Sequence, residues 1–502
     1  MKKNRILLLW SFLLSALFIG LASKSSPLYP MNDWVDVNCF FTVGRSILDG
    51  MVPYRDLYEQ KGPVLYFAFA LVSMFSRNSF VGVYLLEVVT YGLFLYFSGK
   101  LAKLYLGNSR TVFLLVAALA ALVPISWSFT HGGSVEQLSL FMPVYGMYSV
   151  LRALRDKRAL TFPEAFLNGI FAGIILWSKY TTLGFYLGLC LYVLIWYLST
   201  KELRSQLLWT ISYFVLGVCT ISSVVLIYFM LNDAVDDLVK VYFYNNIVLY
   251  PATVEGSRMD AVWNCLKAAI KQNESFGWLI HAGIFWLLFQ LRKQWRAALM
   301  ALLCFFGLAI GTYWGGRGYD YYGLIFAAFC VLGLVALAQA LQFSRLPQRF
   351  FALFPESWVI RGCALALAVL LLFAWTLPSH QNLYLSKYDK EDTVQYRFAK
   401  IIQTVENPTL LNYGFLDGGF YFASGAKPAC RYFCYFNINA EEMWYEQQDC
   451  IESGDADFIV TRHYKLSQYS VNHTKYELVD SASHPFDENY EYTYYLYQKI
   501  SD

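Results

Sequence analysis

Hydrophobic residues fall along this chain in long runs that short polar segments separate. A helix needs about 20 mostly apolar residues to cross the hydrocarbon core of a bilayer. Eleven runs approach that length, at residues 6–22, 80–98, 111–129, 138–152, 162–178, 182–199, 207–230, 276–291, 297–314, 322–342 and 361–379. The run 63–75 is shorter and predicts a re-entrant or interface-lying helix. The pattern predicts a mostly α-helical, polytopic membrane protein with about eleven transmembrane helices.

The pattern changes after residue 379. Hydrophobic runs shorten to strand length at 409–413, 458–461, 476–481 and 492–497. Residues 441–452 have helical spacing and precede Gly454, which is a typical helix stop. We therefore expect two domains: a transmembrane domain, 1–379, whose first polar loop spans 23–79, and a small α/β domain, 380–502.

Composition agrees with a membrane protein. The chain of 502 residues is 57% hydrophobic and 15% charged, whereas about 25% of residues are charged in an ordinary soluble domain. The formal net charge is +3, and the basic residues do not form one block. A nucleic-acid-binding protein needs a basic patch or stripe, so we expect no nucleic-acid partner.

The N-terminal segment 1–25 has basic residues followed by an apolar run, which is the form of a secretion signal. A cleaved signal peptide is one reading of it. The many later spans favour an uncleaved signal-anchor instead. We therefore expect the N-terminus to lie in the cytoplasm and the chain to be a multi-pass protein of the cell membrane.

The positive-inside rule fixes the sidedness of the remaining segments. With a cytoplasmic N-terminus, alternation of the eleven spans puts every later basic cluster on the same side: Lys100, Lys103 and Arg110; Arg152, Arg155, Lys157 and Arg158; Lys201 and Arg204; Arg292, Lys293 and Arg296; Arg345, Arg349 and Arg361. The opposite side receives the loops 23–79, 131–137, 231–275 and 314–322 and the turn at Lys179. It also receives everything after residue 379, so the C-terminal domain is predicted to be extracytoplasmic.

The first outer loop holds the densest set of ionisable residues in the N-terminal half. Between residues 31 and 67 these are Asp33, Asp36, Arg45, Asp49, Arg55, Asp56, Glu59 and Lys61. Charge beside a membrane is cheap only if it faces water, a partner or a substrate. Apolar residues after Asp36 recur at helical intervals and predict an amphipathic surface helix with Asp36 near its N-terminus. A helix-capping role alone would also explain that carboxylate.

A turn at Lys61, Gly62 and Pro63 brings this loop back to the membrane. A lysine at the boundary between water and lipid can extend toward water and pair with a lipid phosphate. Simple anchoring of the chain at the interface is the alternative.

The loop resembles the first outer loop of a known superfamily. The pattern consists of Asp36, an aromatic residue at Phe40, then Arg45, Leu48 and the Lys61-Gly-Pro turn. It resembles the GT-C glycosyltransferases, among them the protein O-mannosyltransferases and the aminoarabinose transferases of family 39 that modify lipid A. Those proteins also share the layout of about a dozen spans, outer catalytic loops and, often, a soluble C-terminal domain.

Two positions depart from the pattern of the superfamily. Val37 stands where the second acid of an Asp-Glu pair is expected, and Gly62 stands where the first proline of Lys-Pro-Pro is expected. These departures place the chain with distant members of the bacterial polysaccharide type and leave the acceptor open.

The resemblance implies a hexosyl- or pentosyltransferase. Asp36 would be the general base on the acceptor in an inverting transfer, and Lys61 would lie near the donor phosphate. Arg45 and Arg317 are the further cations that we predict to hold this phosphate, since the leaving group is an anion. The donor would be a polyprenyl-phosphate sugar, and the acceptor a glycan, lipid or protein at the outer face of the membrane. Sugar transfer needs a carboxylate to take the acceptor proton and cations for the leaving phosphate. No cofactor is implied with certainty, and a divalent cation is compatible with the chemistry.

Further polar residues of the predicted outer loops are candidates for substrate binding. They are Asp33, Tyr54, Asp56, His131, Glu136, Lys179, Tyr319, Asp320 and Tyr322. Related proteins carry an arginine and a His-Tyr pair near the position of 317–322, and Asp320 takes the place of that histidine here. Structural roles are the alternatives to substrate binding: an aromatic belt at the membrane interface for 314–322, and a stabilising acid at a helix N-terminus for Glu136.

Three cysteines, Cys430, Cys434 and Cys450, lie in the segment predicted to be outside, where thiols oxidise. One disulfide among them would leave an odd cysteine. A zinc site with His463 lacks four ligands at suitable spacing, so no metal site is predicted.

Two other functions compete with sugar transfer. A transporter or flippase of a lipid-linked saccharide would carry ionisable residues within its spans, whereas here they concentrate in one outer loop. A ligase that joins whole glycan chains to a carrier would also use outer loops, and it remains an alternative.

Overall fold

The computed structural model describes residues 2–107, 111–251, 256–290, 294–343, 358–438, 440–487 and 490–500. Of the predicted basic clusters, Arg110, Arg292, Lys293, Arg345 and Arg349 lie outside these residues. The α-helices that are described, named here in chain order, are α1 Lys2–Ala22, α2 Val35–Leu48, α3 Pro63–Phe75, α4 Val81–Leu106, α5 Thr111–Leu122, α6 Val135–Ser139, α7 Phe141–Arg155, α8 Phe162–Lys179, α9 Gly184–Ser199, α10 Leu207–Leu231, α11 Val235–Leu238, α12 Arg258–Gln272, α13 Glu274–Gln290, α14 Trp295–Tyr313, α15 Cys330–Phe343, α16 Trp358–Thr376, α17 Val394–Ile402, α18 Phe420–Ser424 and α19 Glu441–Ser453.

Shorter helical segments connect several of these helices. The 3₁₀ segments include Trp127–Phe129, Tyr180–Leu183, Lys201–Gln206 and Asp320–Phe329, and a π-helix spans Val239–Leu249. The strands are β1 Thr409–Tyr413, β2 Lys427–Pro428, β3 Phe458–Arg462, β4 Tyr476–Asp487 and β5 Tyr490–Lys499.

Among the described residues, seven helical segments are long and apolar enough to cross a membrane: Asn4–Ala22, Val81–Leu106, Phe162–Ser199, Lys201–Leu231, Trp295–Tyr313, Asp320–Leu341 and Gly362–Ser379. The prediction of a mostly helical, polytopic membrane protein with a small C-terminal sheet is therefore confirmed. Helices α5, α7 and α13, with 12, 15 and 17 residues, fall below spanning length by this criterion. The count of eleven spans stays a prediction. The run 63–75 forms a helix of 13 residues, in agreement with its predicted bounds.

The chain divides into two compact units. Unit 1 comprises Met1–Ser23, Tyr84–Ser223 and Ala252–Leu383, and unit 2 comprises Lys24–Val83, Val224–Pro251 and Tyr384–Asp502. The boundary near residue 383 lies close to the domain boundary predicted at 379. The first outer loop and the segment around α11 nevertheless belong to the same unit as the C-terminal residues, because both segments pack against those residues.

Unit 1 is a helical bundle whose apolar core depends on close backbone approach. On helix α9, a Cβ added at Gly184 would lie 2.1 Å from the carbonyl oxygen of Gly307 on α14. A Cβ at Gly333 on α15 would lie 2.0 Å from the carbonyl oxygen of Leu279 on α13. Small residues at such crossings let apolar helices gain van der Waals contact where burial from water offers no drive.

Unit 2 contains a five-stranded mixed sheet in the order β2-β1-β3-β5-β4. Strand β1 pairs in parallel with β2 and β3, while β5 pairs antiparallel with β3 and β4. Residues 410–413 and 458–461 are buried on both strand faces, as expected for central strands. Helix α19 ends where Gly454 adopts a left-handed conformation with φ of 77°, which glycine tolerates without strain.

Candidate functional site

Helix α2 carries Asp36 in its first turn, as the sequence predicts. Its partner helix α3 approaches it closely at Gly44, where a Cβ would lie 2.7 Å from the backbone nitrogen of Ala70. Phe40 and Phe69 fill the space beside this crossing in an edge-to-face contact with ring centroids 5.6 Å apart. This packing holds α2 against α3, which begins two residues after Lys61.

The structure brings Asp36 and Lys61 together. The Oδ2 atom of Asp36 lies 3.7 Å from Nζ of Lys61, and the two side chains are 18% and 17% exposed. The ammonium group also lies 5.7 Å from the centroid of the Phe40 ring. The pair is therefore shielded on one side by the aromatic ring and remains accessible to a ligand.

Two tyrosines fix the backbone that carries Lys61. The hydroxyl of Tyr54, which is fully buried, donates to the Lys61 carbonyl oxygen at 2.6 Å, and the Tyr66 hydroxyl lies 2.9 Å from the same oxygen. Tyr54 has a φ of 71°, a left-handed conformation that costs energy in a residue with a bulky side chain. Its backbone is held in turn by the Nε atom of Arg431, which donates to the Tyr54 carbonyl at 2.9 Å. Tyr54, predicted to bind substrate, therefore positions Lys61.

Glu59 belongs to the same group and was missed as a candidate. Its carboxylate is 5% exposed, and it accepts hydrogen bonds from the Lys61 backbone N–H at 2.9 Å and from the Tyr66 hydroxyl. Burial raises the pKa of Glu59, and the positive charge of Lys61 partly offsets that effect. Its position two residues before the Lys61-Gly-Pro turn is the sequence feature that could have identified it.

Arg45 is not beside Asp36 and Lys61, contrary to the prediction that it shares the donor-phosphate site with them. It follows Asp36 by nine residues on one helix, which corresponds to about 13 Å along the axis. Its guanidinium is buried and donates from Nη2 to the Ala426 carbonyl oxygen at 2.8 Å. Burial lowers the pKa of Arg45, and the charge of Asp417 opposes this effect. Arg45 joins the end of α2 to the C-terminal segment.

A second tie between α2 and the C-terminal segment runs through Asp417, which sequence reasoning also missed. This fully buried carboxylate accepts hydrogen bonds from the Thr42 hydroxyl at 2.7 Å, from the Gly419 N–H at 2.9 Å and from the Asn412 side chain at 3.4 Å. Burial raises the pKa of Asp417 to about 6. The only local sign of this role was an acid in the glycine-rich stretch after β1.

Asp33 and Asp56, both predicted to contact substrate, bind partners in the same loop region. The buried Asp33 carboxylate pairs with Lys24 at 2.6 Å. Asp56 accepts the Val52 N–H at 2.7 Å and pairs with Arg55, whose hydrogen bond holds the pKa of Asp56 below its usual value. These contacts give both acids a part in shaping the loop around Asp36.

Unit 1 contains a separate polar cluster. Glu136 in α6 is fully buried and pairs with Lys179 at the end of α8. The Lys179 ammonium lies 3.4 Å from the centroid of the Tyr322 ring and 5.1 Å from that of Tyr321. The Oε2 atom of Glu136 is buried without a hydrogen-bond partner. Three of the predicted candidates, Glu136, Lys179 and Tyr322, therefore lie together.

The segment after α14 extends this cluster. Nη1 of Arg317 donates to the Tyr319 hydroxyl at 3.0 Å, and the Tyr319 ring packs edge-to-face on Tyr322 with centroids 5.4 Å apart. The Asp320 side chain is exposed, and its backbone carbonyl accepts the Ser128 hydroxyl. His131 is half-buried in a turn with Gly132 and Gly133, both at φ of 81°. The roles of Arg317, Tyr319, Asp320 and His131 in binding substrate or phosphate stay predictions.

No group of three or more His, Cys, Asp or Glu side chains that could hold a metal ion occurs among the residues that the structure describes. The Asp36 and Glu59 carboxylates both lie near Lys61. Whether catalysis also uses a divalent cation stays a prediction.

Comparison with known proteins identifies the fold. No protein-family model and no curated protein matches the chain. The solved structure of ArnT from Cupriavidus metallidurans bound to undecaprenyl phosphate matches 97% of this chain and 98% of its own, with 15% identity and a TM-score of 0.59. Its apo state matches 97% of both chains, with 14% identity and a TM-score of 0.60. The apo oligosaccharyltransferase of Archaeoglobus fulgidus matches 91% of this chain and 69% of its own, with 14% identity and a TM-score of 0.48.

The likeness to ArnT extends over nearly the whole of both chains. It shows that this chain shares the fold of the ArnT structures. The resemblance predicted from the first outer loop is therefore confirmed at the level of the fold.

Proposed function

We propose that this chain, which has the fold of the GT-C membrane glycosyltransferases, transfers a sugar from a polyprenyl-phosphate donor to a hydroxyl acceptor at the outer face of the membrane. The observation that carries the proposal is the contact between Asp36 and Lys61, whose charged groups lie 3.7 Å apart and partly exposed. The Asp36 carboxylate can accept a proton, and the Lys61 ammonium can hold an anion. Sugar transfer needs a base for the acceptor hydroxyl and a cation for the leaving phosphate.

The two residues divide the work of the reaction. Asp36 takes the proton of the acceptor hydroxyl as the acceptor oxygen forms a bond to the anomeric carbon. The bond from that carbon to the phosphate oxygen breaks, and the lipid phosphate leaves with the electron pair. Lys61 stabilises the negative charge that grows on the phosphate as the sugar passes through an oxocarbenium-like state. Attack opposite to the leaving phosphate inverts the anomeric configuration.

The surrounding residues keep Lys61 in place for this step. The Tyr54 hydroxyl binds the Lys61 carbonyl oxygen at 2.6 Å, and Glu59 accepts the Lys61 N–H at 2.9 Å. A preorganised cation avoids reorganisation when the phosphate charge develops. Glu59, Tyr54 and Tyr66 are positioning residues in this scheme.

A lipid-linked donor is supported by the fold comparison. One of the ArnT structures that share the fold holds undecaprenyl phosphate. The helices of spanning length place the chain among membrane lipids, where a polyprenyl chain dissolves. The acceptor is a surface glycan, lipid or protein, and the C-terminal segment with the first outer loop lies on the extracytoplasmic side.

The proposal is tested by transfer from defined donors. The purified protein in vesicles is supplied with radiolabelled polyprenyl-phosphate hexoses and pentoses and with a membrane extract as acceptor. We expect label to move to the acceptor fraction, and we expect a gene-deletion strain to lose one sugar from its surface glycans. An unchanged glycan profile, together with no cleavage of any supplied donor, would refute sugar transfer.

A flippase remains the second candidate because of one observation. The ion pair of Glu136 and Lys179 is buried among helices of unit 1, and buried charge in membrane segments often marks a transport path. A flippase moves the lipid-linked saccharide without breaking the bond between sugar and phosphate. Recovery of the intact donor in the opposite leaflet, with no free polyprenyl phosphate, would favour this alternative.

A further inference from the structure

Four cysteines of unit 2 lie in two close pairs. The Sγ atoms of Cys39 and Cys434 are 3.8 Å apart, and both residues are buried. Cys430 packs against the buried apolar cluster of unit 2 that contains Cys450. The sequence alone groups Cys430, Cys434 and Cys450 and leaves one of the three without a partner. The structure supplies the fourth member, Cys39, from the helix that carries Asp36.

We propose that the mature protein contains two disulfides, Cys39–Cys434 and Cys430–Cys450. This inference rests on the extracytoplasmic placement of unit 2 that belongs to the proposed function, because disulfides persist in oxidising compartments. The other six cysteines lie in helices of unit 1 and take no part: Cys190, Cys219, Cys265, Cys304, Cys330 and Cys363.

The geometry of the first pair requires little movement. A disulfide has a sulfur–sulfur distance of about 2.0 Å, so the Sγ atoms of Cys39 and Cys434 must approach by roughly 1.8 Å from their 3.8 Å separation. Side-chain rotation can supply part of that approach, since a cysteine side chain turns about a single bond between Cα and Cβ. The pairing also agrees with the packing of α2 on the C-terminal segment, which the Thr42–Asp417 bond fixes one turn further along the helix.

Each bond forms by thiol–disulfide exchange with an oxidant that carries a disulfide, such as an envelope dithiol oxidoreductase. One thiolate of the pair attacks the oxidant and forms a mixed disulfide, and the second thiolate displaces it. The pair loses two protons and two electrons, and the oxidant leaves as a dithiol. Burial raises the pKa of the Cys39 and Cys434 thiols in the folded chain. Exchange therefore takes place before the two side chains are buried.

The Cys39–Cys434 bond would act on the catalytic helix. Cys39 follows Asp36 by three residues, so the two side chains lie on neighbouring positions of one face. A covalent link there holds the N-terminal half of α2 against the C-terminal segment, while Arg45 and Thr42 hold its other half. The bond positions Asp36 without contacting the substrate.

The disulfide pairing can be measured directly in the wild-type protein. Cells are quenched in acid, free thiols are blocked with N-ethylmaleimide, and the purified protein is digested without reductant for mass spectrometry. We expect one linked peptide pair joining Cys39 to Cys434 and another joining Cys430 to Cys450. Alkylated Cys39 and Cys434 in most molecules, or a peptide linking Cys430 to Cys434, would overturn the proposal.

A variant gives an independent test. In Cys39→Ser, we expect Cys434 to become alkylated while the Cys430–Cys450 link persists. The matched control Cys330→Ser, a buried cysteine of unit 1, should leave both linked pairs unchanged. Unaltered protection of Cys434 in Cys39→Ser would contradict the pairing. If Cys39→Ser does not accumulate, the wild-type peptide map still decides.

Sidedness is measured separately, so that failure of the proposed function can be told from failure of this inference. An impermeant maleimide is applied to intact cells that carry Ser467→Cys, an exposed position of unit 2. Labelling together with the two linked pairs supports both proposals. Labelling with free thiols at all four positions overturns the disulfides and leaves sugar transfer standing. Protection from the reagent overturns the extracytoplasmic placement, and with it both proposals.

Discussion

The carboxylate of Asp36 and the ammonium of Lys61 meet at 3.7 Å, although helix α2 and the loop that follows it separate the two residues along the chain. Partly exposed ion pairs are weak, with about 0–1 kcal/mol in their favour. An incoming lipid phosphate can therefore replace the carboxylate as the partner of Lys61 at little cost. That exchange would leave Asp36 free to accept the proton of the acceptor.

Replacement of the proposed base removes transfer. We expect Asp36→Asn to lower the transfer rate on the order of 10²- to 10⁴-fold, which is the usual contribution of a general base. Expression and membrane insertion should not change. The control is Asp49→Asn, which removes a carboxylate from the C-terminal end of the same helix, where it pairs with Arg77. Wild-type rates for Asp36→Asn in vesicles with saturating donor would exclude Asp36 as the base.

Loss of the Lys61 charge should weaken the use of the polyprenyl-phosphate sugar as donor. Lys61→Ala removes a charged contact to the phosphate worth roughly 1.5–3 kcal/mol, so kcat/KM for the polyprenyl-phosphate sugar should fall roughly tenfold to hundredfold. Arg55→Ala is the matched control, because Arg55 is an exposed cation of the same loop. The dependence of rate on donor concentration provides the measurement. If it is the same in Lys61→Ala and the wild type, Lys61 lies outside the donor site.

Glu59 predicts part of the pH dependence of transfer. Burial raises its pKa above the ordinary value of 4.5, so as the pH falls it gains a proton before an exposed carboxylate does. Protonation removes the negative charge beside Lys61, and activity should fall with it. In Glu59→Gln we expect a lower kcat. The acid limb of the pH–rate profile should move to lower pH, because the Glu59 carboxylate no longer takes up a proton.

The control for that experiment is Glu442→Gln, which changes an exposed carboxylate paired with Lys240. Its pH–rate profile should match that of the wild type. Tyr66→Phe should lower kcat in the same direction as Glu59→Gln, since it removes the hydroxyl that contacts both Glu59 and the Lys61 carbonyl. An acid limb that stays in place in Glu59→Gln would show that Glu59 does not control it.

Thr42 and Asp417 predict how stability depends on pH. The pKa of Asp417 is about 6 in the folded chain and 3.8 ordinarily. The folded state thus binds the proton more tightly, and the contribution of Asp417 to stability is present below pH 3.8 and is lost as the pH rises through about 6. Thr42→Val removes a hydrogen bond that lowers this pKa, so the loss should move to higher pH.

Thr42→Val should also lower the free energy of unfolding at neutral pH by about 1.5–3 kcal/mol, the usual value for a hydrogen bond to a charged group. Thr42→Ser keeps the hydroxyl and is the matched control. Thermal melting of the purified protein between pH 4 and pH 8 gives both quantities. Superimposable melting profiles for Thr42→Val and Thr42→Ser would mean that the bond to Asp417 does not stabilise the fold.

The buried pair of Glu136 and Lys179 can be tested with a double-mutant cycle. Removal of one partner leaves a buried charge and should destabilise the protein by about 3–5 kcal/mol, as in Glu136→Gln or Lys179→Met alone. The double variant should regain most of that loss. Lys267→Met, at an exposed lysine of α12, controls for the loss of a positive charge.

Transfer activity separates two roles for that pair. A double variant that melts like the wild type yet transfers no sugar would assign the pair to substrate binding, and one that transfers normally would assign it to the fold alone. Single variants as stable as the wild type would contradict a buried ion pair altogether.

Much of the fold can be predicted because its determinants are local. The length of an apolar run decides whether a helix can span a bilayer, and strands β1 and β3 were recognisable from runs of apolar residues at 409–413 and 458–461. Strand β2, with only Lys427 and Pro428, has too little sequence to recognise, since its pairing with β1 defines it. Helix α5 ends at Leu122, seven residues before the end of the predicted span 111–129, because apolar composition does not fix where a helix stops.

The sequence by itself determined that the chain is a polytopic membrane protein, that Asp36 lies in the first turn of a helix and that Lys61 precedes a turn into a further helix. The prediction that this first helix lies on a surface is wrong, because residues 37–46 are all buried. Only the tertiary structure decided that Asp36 and Lys61 meet, that Glu59 and Tyr54 support Lys61, and that Arg45 turns away to Ala426. The physical reason is separation along the chain. Hydrophobic periodicity reports on neighbours within a few turns of helix, whereas Cys39 and Cys434, 395 positions apart, approach each other only through packing.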